Sequence, residues 1–411
     1  MPEMPAKHVI FLGAGASKGS GYPIANKLRL LISSRKNWEN ALLEYEKTHN
    51  LVDTPIRDIG LPYWDKHVEA LGLFRNGGFA TLDEFCKLAG TAFQTEIHGL
   101  RCVVRAALGL FNPEEHFEDS EYYGFVQALF KADLESLRED ITILTYNYDP
   151  YLEFLLYRAL DHRWTIARKG GPSFLVGTKV DKITHHENQL NAVTSGFYSP
   201  DSRAWLDCDK TKPAFCLLQL HGSICYEVLG STGFEALFVD EPLTRAKKFF
   251  EKPADNIIPP VLFPWEIMTD HRLVEMKSFP FSNSHALYNL FDGIWEKARR
   301  EVQAAEKISF IGLCMHDFLV GGLEFLFKDR KTPVEVVVAN PDNADLGSGE
   351  LQQNWGNLPH TPAYAVNEVL RKVAPDMQRF GIDQQYGKNP GGITLVRDFA
   401  EFIKTQMKPV G

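Results

Sequence analysis

Four short clusters in this chain carry side chains able to act on a bound ligand. Gly13-Ala14-Gly15-Ala16-Ser17 follows the apolar run His8 to Leu12. Glycines in such a place let a backbone approach a diphosphate, and a helix starting behind the loop would add free amide donors and a positive dipole end. The spacing departs from G-x-G-x-x-G, whose third glycine position is occupied by Lys18, and it does not fit G-x-x-x-x-G-K-[ST]. A tight structural turn is the competing account. Thr145-Tyr146-Asn147-Tyr148-Asp149 ends a second apolar run, where Asn and Asp are common because their side chains bond nearby backbone. His221-Gly222 ends a third; a lone His is more often structural, yet imidazole is the side chain best suited to exchange a proton near neutral pH. Asn340-Pro341, the fourth, reads in isolation as a strand stop.

These clusters need a scaffold, and the periodicity supplies one. His8 to Leu12 is a buried strand, and the glycine loop leads to a helix from Pro23 to Ile32. Ile24, Leu28, Leu31 and Ile32 form its apolar face, with Pro23 in the first turn. Residues 37–139 are mostly helical, with capping-box spacing at Thr81-Leu82-Asp83-Glu84 ahead of Phe85. Ile141 to Leu144 is a strand, followed by a helix through Leu160; residues 161–213 are mixed and unassigned. Phe215 to Leu220 is apolar, Asn289 to Ala305 is an amphipathic helix, and Ile308 runs as a strand to Gly312. A helix from Phe318 to Phe327 and the run Val334 to Ala339 follow. Strands alternating with helices predict an α/β fold: a mostly parallel sheet covered on both faces. All four clusters then lie at carboxyl ends of strands, where open α/β sheets bind ligands.

Composition narrows the function. With 411 residues and 44% hydrophobic content the chain can bury a large core. Its longest apolar runs are strand-sized, which argues against a membrane span, and the short apolar run near the N-terminus is too brief for a secretory signal. Six scattered cysteines without a C-x-x-C pair suggest a reduced, cytoplasmic protein. A net charge of −9 makes direct nucleic-acid binding unlikely to be its task. The pairs Lys247-Lys248 and Arg299-Arg300 read as solvated helix faces, and the acidic stretch Pro113 to Tyr123 as a solvated loop or helix start. His185-His186-Glu187 has no partner pattern that would complete a metal site.

In their order, the clusters resemble the sirtuin-like NAD-consuming family. That family runs from Gly-Ala-Gly-x-Ser through Thr-x-Asn-x-Asp, His-Gly and a glycine after a late strand to Asn-Pro. Here the matches are Gly13 to Ser17, Thr145 to Asp149, His221-Gly222, Gly312 and Asn340-Pro341. The resemblance covers about residues 7–342 and implies a doubly wound, Rossmann-like core at 1–36 and 140–345, with 37–139 as a helical insertion. Residues 346–411 would be an extension packing on that core. It implies that Gly13, Ala14, Gly15, Ala16 and Ser17 hold the diphosphate, with Gly312 and Asn340 on the adenosine side. Asn147 would position ribose and water, Asp149 the nicotinamide carboxamide, and His221 would be general base or ribose-hydroxyl partner.

The chain departs from that family in two places. Gly312 is followed by Leu313-Cys314 where a hydroxyl pair is usual, and only Cys208 lies between Asp149 and His221 where deacylating members carry a four-cysteine zinc module. The sequence therefore resembles most the zinc-free NAD hydrolases of bacterial anti-phage defence. The expected activity is NAD+ cleavage to nicotinamide and ADP-ribose as an abortive-infection effector. Nearly the whole chain belongs to the catalytic fold, so the expected trigger is homo-oligomer assembly or a separate partner, such as a HerA-type hexameric ATPase. A protein deacylase and a non-catalytic NAD or ADP-ribose sensor are the alternatives.

Overall fold

The computed structural model describes, apart from short breaks, residues 8–67, 94–111, 121–130, 138–149, 216–236, 284–313, 317–340 and 393–407. Isolated positions in 71–85, 151–155 and 247–263 are also described. The capping box at Thr81, the mixed stretch 161–213 with His185-His186-Glu187, and most of the acidic stretch before Glu121 lie outside them.

Strands β1 (His8–Leu12), β2 (Ile141–Thr145), β3 (Cys216–Gln219), β6 (Lys307–Ile311), β7 (Glu335–Ala339) and β8 (Ile393–Val396) form one sheet. Its order is β3-β2-β1-β6-β7-β8, and every neighbouring pair is parallel. Two short strands, β4 (Tyr226–Leu229) and β5 (Gly233–Ala236), pair antiparallel outside it. The expected parallel α/β sheet is therefore present, with a sixth strand contributed by the stretch 346–411. From β1 the chain builds outward on one side through β2 and β3, then returns to build on the other through β6, β7 and β8. The order reverses between β1 and β6, and a reversal of this kind opens a crevice at the carboxyl ends of the two strands.

Between β1 and β2 lie α1 (Ala25–Ile32), α2 (Arg35–Thr48), α3 (Arg57–Lys66), α4 (Gln94–Gly109) and α5 (Glu121–Ala128). After β5 come α6 (Ser284–Ala304), α7 (Asp317–Phe327) and α8 (Phe399–Gln406). Two details differ from the sequence reading. Helix α6 begins at Ser284, a turn earlier than its apolar stripe suggested. Helix α1 does not start at the glycine loop: a 3-10 turn over Lys18–Ser20 intervenes, closed by Gly21 at φ 85°. Pro23 precedes the N-cap Ile24, outside the first turn. The amide donors expected from a helix behind the loop are therefore not those of α1.

The sheet is apolar along each strand because helices cover both faces. On one face Phe11 stacks on Phe310 at 4.8 Å and on Tyr146 at 6.2 Å. Tyr146 then meets Trp295 of α6 at 6.3 Å, and Phe310 meets Phe327 of α7 at 6.5 Å. Each fully buried aromatic of this kind contributes roughly 1.5–3 kcal/mol. On the other face His8 contacts Phe402 of α8 at 6.3 Å, and Phe399 of α8 reaches Phe125 of α5 at 5.1 Å. Among the described residues no helix is long and apolar enough to cross a membrane.

His8 is the polar exception in β1, 2.8 Å from Ser309 Oγ. Burial, then the charges of Lys307 and Arg138, push its pKa down to about 3, against a smaller opposing pull from Asp140. A depressed histidine contributes stability above pH 6.5 that drains away as the pH falls toward 3, about 3 kcal/mol by pH 4. His8→Gln keeps a hydrogen-bonding group and removes the titration. Urea unfolding should show the variant losing less stability than the wild type between pH 7 and 4.5; parallel losses would refute the assignment.

Candidate active site

At the carboxyl edge of β1 and β6 two loops interlock through their backbones. Gly13 N–H donates to Ile311 O at 2.9 Å, Gly15 N–H to Gly312 O at 2.8 Å, and Gly312 N–H to Ala339 O at 3.1 Å. The glycines are needed for this contact. A Cβ on Gly13 would lie 2.6 Å from Gly312 O, one on Gly15 2.8 Å from the same oxygen, and one on Gly312 2.2 Å from Ala16 N. Gly312 also sits at φ 61°, where an L side chain is strained. Gly15, expected to be glycine for the sake of a ligand, is already required by the neighbouring backbone. Ala14, at the tip, is exposed, and its N–H meets no acceptor among the described residues.

Ser17 is the junction between this loop and the turn after β2. Its Oγ accepts from Asn147 Nδ2 at 3.1 Å and donates to Asp149 Oδ1 at 3.2 Å. Asn147 Nδ2 also donates to Gly13 O at 3.1 Å, and Asn147 N–H donates to Thr145 Oγ1 at 3.0 Å. Both amide hydrogens of Asn147 are thereby used, while its buried Oδ1 has no partner among the described residues. An unpaired buried acceptor costs about 1–3 kcal/mol unless a ligand or water donates to it. Asp149 Oδ1 additionally accepts from Tyr151 N–H at 3.2 Å. Desolvation dominates at this carboxyl and pushes its pKa up to about 6, against the lowering pull of Ser17 and the backbone.

His221 stands at the end of β3 in a different setting. Its ring packs edge-on to Tyr146 at 4.9 Å, beside Tyr148 at 6.0 Å and Trp295 at 6.4 Å. The bond from Trp295 Nε1 to Leu220 O at 3.0 Å holds this aromatic wall against the end of β3. Burial among these rings lowers the His221 pKa to about 3. The imidazole is therefore neutral throughout the physiological range, a hydrogen-bonding group of low basicity. Of the two titratable groups, Asp149 has its pKa nearer to neutral pH, where proton transfer is most effective.

Asn340 closes the β7 end of the same edge. Its Nδ2 donates to Leu313 O at 3.3 Å and its N–H to Val396 O at 3.2 Å, so it ties the β6 loop to β8. Leu313 is buried and packs over Gly13. Cys314 and Pro341 lie outside the described residues. The structure thus joins Gly13, Gly15, Ser17, Asn147 and Asp149 in one bonded cluster, with Gly312 interlocked and Asn340 one residue further through Leu313. His221 adjoins through Tyr146 and Tyr148. Sequence reasoning missed Tyr122 of α5, whose hydroxyl lies 3.4 Å from Ser17 Oγ, and the Trp295 wall. Trp295 was legible as core but not as a neighbour of His221; Tyr122 belongs to no motif. Among the described residues no three His, Cys, Asp or Glu side chains gather to hold a metal.

Two outcomes test this geometry. Gly312→Ala should cost at least about 2 kcal/mol or prevent folding, from strain plus the clash with the glycine loop. Gly15→Val should also destabilise, so weaker ligand binding in that variant would not by itself locate a ligand. Asp149→Asn should act in the opposite sense. A raised carboxyl pKa means the folded state binds more protons than the unfolded one between about pH 4 and 6, so stability falls across that window as the pH rises. The variant should be more stable than wild type by about 1–3 kcal/mol at pH 8, with the difference vanishing below pH 4. A wild type as stable as Asp149→Asn at pH 8 would contradict a strained carboxylate. No protein-family model and no curated protein matches the chain.

Proposed function

We propose that this protein is an NAD+ glycohydrolase with a sirtuin-like, doubly wound core. The observation that carries the reading is Asn147. Both of its amide hydrogens are committed to Gly13 O and Ser17 Oγ, and its buried Oδ1 is left without a donor. The donor that fits is a hydroxyl or a water held at the carboxyl edge of the sheet, as a ribose with an attacking water would supply. The exposed Ala14 N–H at the tip of the glycine loop suits a diphosphate oxygen. The reversal of strand order between β1 and β6 supports binding in the crevice there.

In this reading the glycine loop holds the diphosphate and Asn147 fixes the ribose and water. Asp149 contacts the nicotinamide carboxamide and is the group best matched in basicity to accept a proton. Neutral His221 bonds a ribose hydroxyl, the second of the roles expected for it. Nicotinamide leaves as a neutral molecule from a cationic ring, so the protein has chiefly to orient the ring and exclude bulk water. Control by assembly or by a separate partner, and a role as an abortive-infection effector, belong to the same proposal. They rest on the resemblance of the sequence clusters.

Purified full-length protein incubated with NAD+ should release free nicotinamide, without or with an activating partner. Asn147→Ala should lower that rate by roughly 10²–10⁴ while NAD+ binding changes little, since the diphosphate contacts lie in the loop. Binding without release under every condition would favour the sensor; release only with an acylated peptide would favour the deacylase. Unaltered release in folded Asn147→Ala would remove the assignment of the site.

A further inference from the structure

Ser17 has one proton and two lone pairs, and the structure offers it three partners. Asn147 Nδ2 donates at 3.1 Å and takes one lone pair; Asp149 Oδ1 lies at 3.2 Å and the Tyr122 hydroxyl at 3.4 Å. Ser17 cannot donate to both oxygens. The carboxylate is the stronger acceptor, so the Ser17 proton points to Asp149 and Tyr122 O–H donates to the remaining lone pair. Ser17 is then satisfied at every position, in one orientation.

Tyr122 is itself held firmly. It is buried, and its ring meets Phe125 at 6.1 Å, Tyr151 at 5.4 Å and Phe399 of α8 at 5.2 Å, edge-on in each case. The start of α5 also abuts the 3-10 turn, where a Cβ on Gly19 would lie 3.3 Å from Glu121 Oε2. Resting on the hydrolase reading, we infer that Tyr122 is a positioning residue: through Ser17 it fixes the direction of the hydrogen bond to Asp149 and the placement of the Asn147 amide. Helix α5, between β1 and β2, thereby reaches the site through the Tyr122 hydroxyl.

Among the described residues, the groups facing Asp149 are few. Ser17 comes from the glycine loop and the Tyr151 N–H from the following segment. Lys18 and Glu121 flank the 3-10 turn, with Asp398, the N-cap of α8, close enough to raise the Glu121 pKa. No ion pair to Asp149 occurs among the described residues. After burial itself, the Ser17 hydrogen bond has the largest effect on its titration.

The test is a cycle of Tyr122→Phe, Ser17→Ala and the double variant in the full chain, each checked by thermal melting. The Asp149 carboxyl is followed by carbon-13 NMR of aspartate-labelled protein, its signal assigned by its loss in Asp149→Asn. Tyr122→Phe retains the ring packing and should move the Asp149 midpoint upward by about 0.5–1 pH unit, through a weakened Ser17 bond. Ser17→Ala should move it at least as far, and the double variant no further, because the hydroxyl acts through Ser17. In the turnover assay Tyr122→Phe should lower kcat about 3–10-fold with KM nearly unchanged. An unmoved midpoint, full additivity in the double variant, or a Tyr122→Phe protein that fails to fold would each overturn the inference. If the wild type releases no nicotinamide, the hydrolase reading fails, and the carboxyl titration still decides the relay.

Discussion

The arrangement depends on one close backbone contact, that of Gly13 and Gly15 against Gly312. Two parallel strands, β1 and β6, end side by side, and the chains leaving them must turn without colliding. Bare glycine on both sides lets Gly15 N–H reach Gly312 O, and a single added Cβ on any of the three would fall inside contact distance. Because the loop is pinned from below, Ser17 arrives at the level of the turn after β2 and can meet Asn147 and Asp149. The polar cluster is thus a consequence of strand geometry, and it leaves Ala14 exposed at the loop tip.

Around that contact the site concentrates groups that burial disfavours. Asp149 is pushed toward neutrality by desolvation, His221 is held uncharged by a wall of aromatic rings, and Asn147 carries an acceptor without a donor. Elsewhere in the described core some buried charges are paired locally, as in the Lys297–Glu301 pair at 2.8 Å or Arg138 with Asp140 at 2.8 Å. Perturbed titratable groups close to one strand edge support the proposal that this edge is the site.

The strands were readable because a parallel sheet covered on both faces requires continuous apolar runs, and those runs end at the chemical clusters. The Thr145 to Asp149 turn and the glycine loop were found where expected, at adjoining strand ends. Helix α1 was found close to its expected bounds, starting at Ala25 instead of Pro23, while the 3-10 turn before it went unread because Gly21, which ends that turn, resembles any other loop glycine in sequence. The packing requirement at Gly15 was not legible because its neighbour, Gly312, is far along the chain. Tyr122 carried no signal: it stands at the end of the acidic stretch read as solvated, and the fold instead buries it and brings it to Ser17. What sequence misses here is consistently the long-range partner, since periodicity encodes faces and not which face meets which.

The placement of β8 and α8 has a consequence for biosynthesis. Strand β8 joins the edge of a sheet whose first strand is β1, and Phe399 packs on Tyr122 and Phe125. Among the described elements these two are the last to emerge from the ribosome, while their partners were made long before. Domains fold largely as units as the chain emerges, and contacts of such sequence separation form late. A nascent chain lacking α8 lacks the edge-on contact between Phe399 and the Tyr122 ring, so this part of the aromatic packing closes only after the elements between β1 and β2 have been made.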